Sequence, residues 1–161
     1  MIDLSDCTFI IPLKIDSPAR ERNIELVLAY LTSNFITTIV VTEADEYPKF
    51  DKKIKKFENL GVYYDFIELQ PGDLFHRTHY LNEMLAGVNS PITINYDADI
   101  ILPLESYVLA RNMIRDEYYD LVYPFEKSSE SQMNIDIPDL FPIENIIASN
   151  FTDFGNSKQG Y

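Results

Sequence analysis

Four compact apolar runs, each too short to be a helix of its own, alternate with helix-length stretches, and this limits the fold more than any other feature of the chain. The runs are CTFIIPL (7–13), FITTIVVTEAD (35–45), VYYDFIEL (62–69) and PITINY (91–96). Short apolar runs rich in β-branched residues read as strands, the first buried on both faces. Between the first two, DSPARERNIELVLAYLTSN reads as a helix capped by Ser17, with Pro18 at its first position and Ile24, Val27, Leu28 and Leu31 facing a core. KFDKKIKKFENLG (49–61) places Phe50, Ile54, Phe57 and Leu60 on one helix face, and Gly61 supplies a stop. After QPGD, the pattern predicts a helix from an Asp73 cap to about Val88, with Leu81, Leu85 and Val88 inward. LESYVLARNMIRDE (104–117) predicts another helix and DLVYPF (120–125) a fifth strand. The expected fold is α/β, a three-layer, doubly wound and mostly parallel sheet covered on both sides. Ligands of such sheets bind outside the carboxyl ends of the strands, so the loops after Leu13, Thr42 and Tyr96 should share one rim.

With 161 residues, 46% of them apolar, the chain can bury a real core. Acidic residues outnumber basic ones by 26 to 13, for a net charge of −13. That balance opposes binding to nucleic acid or to an anionic membrane surface, but not to a small anion accompanied by a metal. The single cysteine, Cys7, lies in an apolar run and reads as a buried structural thiol. No signal peptide pattern and no apolar stretch of about eighteen residues is present, so a cytoplasmic protein without an integral membrane segment is expected. Nothing in the sequence indicates an oligomeric state.

The strand–helix pattern holds over 1–125 and dissolves over 126–161, where Ser, Asn, Asp and Pro are scattered among short apolar clusters. The expected organisation is an α/β domain followed by an irregular segment, and the chain reads as the N-terminal piece of a longer protein.

The rim carries the candidate chemistry. Asp97 and Asp99 follow the fourth run, and in extended chain residues two apart point the same way, so both carboxylates can lean toward one ion. Fourteen aspartates make about one D-x-D expected by chance, so the position of the triplet carries more than the triplet itself. Mg²⁺ or Mn²⁺, held by one or two carboxylates and substrate phosphates, is preferred here to a solvated strand end. Arg20 and Arg22 lie near a helix start, against the dipole; a bound diphosphate would resolve this, and so would pairing with Glu21 and Glu25. Glu43 and Asp45 close the second run, either to hydrogen-bond a base or ribose or as a polar turn. Arg77 is a candidate phosphate contact, whereas His76 and His79 lack the H-E-x-x-H spacing of a zinc site and read as surface residues. The lysines of DKKIKK interleave with apolar residues at core spacing and read as a solvated helix face.

No G-x-G-x-x-G, Walker loop, G-x-S-x-G or C-x-x-C occurs, which removes most dinucleotide oxidoreductases, P-loop enzymes and serine hydrolases. Taken together, FIIPLKIDSPARERNIELVLAYL, TTIVVTEAD and HYLNEMLAGVNSPITINYDADIILP resemble the nucleotide-binding half of GT-A fold glycosyltransferases, over residues 7–125. The likeness is to the family 2 type and to the N-terminal domains of galactosyltransferases and chondroitin polymerase-like enzymes. It implies a UDP-sugar donor, a saccharide acceptor and Mn²⁺ or Mg²⁺ as cofactor. By position, it implies that Asp99 ligates the metal, and that Asp97 contacts the metal or the ribose. Pro12, with Glu43 or Asp45, would frame the uridine, and Arg20 or Arg22, with Arg77, would steady the diphosphate. The family's catalytic base lies beyond a glycine-rich segment and a W-G-x-E-D-like motif, and this chain has no tryptophan, so its catalytic residue is unassigned. Two other readings stand beside it: a sugar nucleotidyltransferase, which normally has a glycine-containing loop where LKIDSPARERN has none, and a non-catalytic nucleotide-sugar-binding module.

Overall fold

A computed structural model describes residues 1–116 and 119–124. They belong to two compact units, Met1–Ile101 and one that begins at Leu102. The first contains β1 (Ile2–Leu13), α1 (Pro18–Asn34), β2 (Phe35–Asp45), α2 (Asp51–Ile54) running into a 3₁₀ segment (Lys55–Leu60), β3 (Val62–Glu68), α3 (Arg77–Ala86) and β4 (Ile92–Asn95). The second contains α4 (Leu104–Arg115), where the Leu102 backbone N–H donates to the Tyr107 hydroxyl at 3.0 Å.

The four strands form one open sheet in the order β3-β2-β1-β4, all parallel. Successive connections from β1 to β2 and from β2 to β3 step outward in one direction, and the connection through α3 steps back across to the other side of β1. This order is compatible with a doubly wound sheet, because right-handed crossovers taken in opposite directions put helices on opposite faces. β1 is buried from Cys7 through Leu13, as expected of a central strand covered twice. It also begins five residues earlier than its apolar run, at Ile2, which pairs with Phe35 before the register shifts between Asp3 and Thr8.

α1 forms as its sequence predicts. The Ser17 hydroxyl accepts from the Arg20 N–H at 3.3 Å, Pro18 opens the helix, and Ile24, Val27, Leu28 and Leu31 are buried. Each such side chain contributes about 1.5–3 kcal/mol through removal from water. The next segment departs from a single amphipathic helix. After one α-turn it tightens to 3₁₀, which buries Phe50, Ile54 and Phe57 but leaves Leu60 exposed. Gly61 then ends it in the left-handed region at φ 81°, where a Cβ would stand 2.6 Å from the Thr37 carbonyl oxygen. Gly72 has a similar φ of 92° with open space around it. Gly61→Ala is therefore expected to cost more than Gly72→Ala, by about 1 kcal/mol or more, because backbone strain is common to both and the steric clash is not. Urea midpoints of the two variants check this.

Three expectations are corrected. Residues 70–73 form a turn rather than the start of a helix: Asp73 N–H donates to the Gln70 carbonyl at 2.9 Å and Gln70 N–H to Asp73 Oδ2 at 2.8 Å. α3 starts at Arg77 in consequence, and the residues it buries are Tyr80 and Met84, with Leu85 exposed and Leu81 and Val88 half-buried. Tyr80 joins Ala44 and Leu69 in an apolar cluster flanked by Ile67 and Phe75. Finally, residues 120–124 form no strand: Leu121 and Tyr123 are exposed, and Pro124 lacks a ladder donor. Phe125 and the segment 126–161 lie outside the described residues. Among the described residues, no helix is long and apolar enough to cross a membrane.

Candidate ligand-binding site

The chain leaves β1 toward β2 on one side and enters β4 on the other, so the loops at their carboxyl ends diverge and leave a crevice. An open cavity of about 370 Å³ lies there. Pro12 and Lys14 reach it from the end of β1, Asp16 from the following loop and Arg20 from the first turn of α1. Phe75 and Arg77 reach it from the start of α3, and Asp97, Ala98 and Asp99 from the segment after β4.

The Asp pair owes its direction to its neighbours. Tyr96 and Ala98 are buried, while Asp97 is half-buried and Asp99 exposed; Ala98 and Asp99 lie in a turn rather than in the extended chain expected, so it is the turn and not strand alternation that leaves both carboxylates on the cavity. Tyr96 packs edge-on against Phe9, with ring centroids 5.4 Å apart, and its hydroxyl donates to the Ile100 carbonyl at 2.7 Å. These contacts turn both carboxylates to the cavity side.

Four of the six charged side chains in the cavity form two ion pairs. Arg77 donates from Nε at 3.1 Å and from Nη2 at 2.5 Å to the same oxygen of Asp97, and Nη2 also reaches Asn95 Oδ1 at 3.2 Å. Arg20 Nε donates to Asp16 Oδ1 at 3.3 Å. Burial acts to raise the Asp16 pKa, but the Arg20 charge and the hydrogen bonds from Ser17 and Arg20 outweigh it and hold this carboxyl below its ordinary range. Both arginines occupy first turns of helices, where a cation opposes the dipole, and an acceptor carboxylate offsets each. Lys14 and Asp99 take part in no ion pair among the described residues.

The structure thus brings Pro12, Arg20, Arg77, Asp97 and Asp99 to one cavity, and does not bring Arg22, Glu43 or Asp45 to its lining. Arg22 is exposed in the second turn of α1. Pairing of the arginines with Glu21 and Glu25 is also corrected, since those acids take Lys53 and Lys56 instead. Glu43 is fully buried: Oε1 accepts from the Lys49 N–H at 3.0 Å, and Oε2 from the Phe50 N–H at 3.1 Å and the Tyr64 hydroxyl at 2.6 Å. Burial, reinforced by the Glu43 carboxylate, pushes the Tyr64 hydroxyl far above its ordinary pKa. Asp45, also buried, accepts from the Glu46 N–H at 2.9 Å and from Lys49 Nζ at 2.8 Å. That hydrogen bond, ahead of the opposing effect of burial, raises the Lys49 pKa.

Lys49 connects this buried network to the cavity. Its Nζ also donates to the Ile15 carbonyl at 2.7 Å, in the loop that carries Lys14 and Asp16. Sequence reading did not single out Lys14, Asp16, Phe75 or Lys49. The first two lie in the rim loop LKIDSPARERN, so their position after a buried strand was a usable signal; nothing in YPKF marks Lys49.

Two carboxylates suit a hard divalent cation that takes its remaining ligands from water and phosphate. Asp99, with no internal partner among the described residues, and Asp97, which lines the same cavity, fit that description. Among the described residues, no group of three His, Cys, Asp or Glu side chains forms a metal cage. His76 and His79 are exposed, and His79 pairs with Glu83 at 3.4 Å. No protein-family model matches this chain, and no curated protein matches it in sequence.

Proposed function

We propose that this chain binds the nucleotide-sugar donor of a metal-dependent, GT-A type glycosyltransferase, with a UDP-sugar as donor and a saccharide as acceptor. The observation that carries the reading is the convergence of Lys14, Arg20 and Arg77 with Asp16, Asp97 and Asp99 in one cavity at the divergence of β1 and β4. Asp99 and Asp97 would hold Mn²⁺ or Mg²⁺, which when bound neutralises charge developing on the nucleoside diphosphate leaving group. Arg20, Arg77 and Lys14 would hold the diphosphate oxygens. Pro12 and Phe75 offer flat apolar surface to the nucleoside. The group that deprotonates the acceptor hydroxyl is not assigned to any described residue.

Calorimetric titration with UDP, with and without Mn²⁺, tests the proposal. Binding that requires the metal supports it, and absence of UDP binding under every metal condition overturns it.

A further inference from the structure

Two of the cavity's three carboxylates are held by internal arginines, and the Arg77–Asp97 pair constrains how ligands enter. Arg77 places two donors on one oxygen of Asp97, so the carboxylate expected to help hold a cation is already occupied by an internal one. Both side chains are 44% exposed, so the pair can be exchanged without disturbing the core. Resting on the donor-binding reading, we infer that Arg77 is a positioning residue that couples metal and diphosphate binding by partner exchange: the cation takes Asp97, and the released guanidinium takes a phosphate oxygen.

The reasoning is electrostatic. A divalent cation arriving alone must displace Arg77 from Asp97 and leave the guanidinium beside it as a repelling charge. A diphosphate arriving alone gains Arg77 only by leaving Asp97 unpaired next to Asp99 and facing the anion. When both arrive, each of the four charges keeps an opposite partner, so each ligand strengthens the other by the same factor. Asp16, on the loop after β1, and Arg20, in the first turn of α1, form the second such pair in the cavity, but this pair engages neither Asp97 nor Asp99. The exchange is therefore assigned to Arg77.

Truncating Arg77 should act oppositely on the two ligands. In Arg77→Ala, Mn²⁺ alone should bind about two- to fivefold more tightly than in wild type, the range expected for release of an exposed ion pair. UDP in the presence of Mn²⁺ should bind about tenfold or more weakly, through loss of a charge-assisted contact. Removing any cation also deepens the negative field of a chain with net charge −13, so Lys52→Ala, on the exposed face of α2, serves as the comparison for that general effect. Mn²⁺ binding, followed by loss of the free-ion electron paramagnetic resonance signal, and UDP titration by calorimetry supply the two readouts.

A tighter Mn²⁺ site in Arg77→Ala but not in Lys52→Ala, with weakened metal-dependent UDP binding, supports the exchange. Unchanged or weaker Mn²⁺ binding in Arg77→Ala, while wild type binds UDP with Mn²⁺, overturns it and leaves the donor-binding reading standing. If wild type binds no UDP with any metal, the donor-binding reading and the exchange fall together.

Discussion

Glu43→Ala is expected to lower the unfolding free energy by about 3–5 kcal/mol, the largest effect of any single carboxylate removal among the described residues. Its two oxygens accept three hydrogen bonds, from the backbone N–H groups of Lys49 and Phe50 and from the Tyr64 hydroxyl. Glu43 and Phe50 are completely inaccessible, so water cannot replace the acceptor of the Phe50 N–H, while the Lys49 and Tyr64 donors are part-buried; an orphaned buried donor costs about 1–3 kcal/mol. Glu43→Gln should cost less, since an amide oxygen in the place of Oε2 still accepts from the Phe50 N–H and the Tyr64 hydroxyl, and only the part-buried Lys49 N–H loses its acceptor. Tyr64→Phe should cost least, as both backbone donors keep their partner. Against a typical domain stability of about 5–15 kcal/mol, the alanine variant should unfold at markedly lower urea. The graded order Ala, Gln, Phe in chemical denaturation is the measurement; equal midpoints for Glu43→Ala and wild type would contradict the role assigned to the buried carboxylate.

Asp99→Ala should act on binding and leave stability alone. Its carboxylate is exposed and makes no hydrogen bond or ion pair among the described residues, so its removal strands no partner. If it ligates the cation that carries the diphosphate, metal-dependent UDP affinity should fall by about a hundredfold, the loss of a charged first ligand in a site with only two. Metal-independent residual binding through Arg20, Arg77 and Lys14 should persist and should weaken with salt. An Asp99→Ala variant with wild-type affinity for UDP and Mn²⁺ would remove this residue from the site. Together with Glu43→Ala, it separates two carboxylates that both end strand-like runs and differ in what surrounds them.

That difference explains what could be read from the sequence. The alternation of apolar runs and amphipathic segments was legible because burial imposes it directly: the strands at 35–45 and 62–68 and the capped helix starting at Pro18 follow from periodicity, a Ser-Pro pair and β-branched residues. Local backbone chemistry was less legible. Pro71-Gly72 closed a turn that uses Asp73 as its acceptor rather than as a helix cap, which moved α3 by about one turn and rotated Tyr80 and Met84 inward in place of leucines. Asp97, Asp99, Arg20 and Arg77 line one cavity because a parallel sheet gathers its loops at one end. Glu43 and Asp45 end their strand on the same rim, yet long-range acceptance from Lys49, Phe50 and Tyr64 gives them internal partners that no linear pattern reveals.

The tie from Lys49 Nζ to the Ile15 carbonyl, with its counterpart from the Tyr96 hydroxyl to Ile100, bears on the thermodynamics of ligand entry. A loop that orders only on binding charges its conformational entropy, about 1–2 kcal/mol per residue fixed, against affinity. Here the two segments that frame the cavity are fastened during folding, so that entropy is lost before any ligand arrives. A ligand bound as proposed would then meet a rim already close to its bound shape, and its association should show a small entropic penalty and little change in backbone exchange protection.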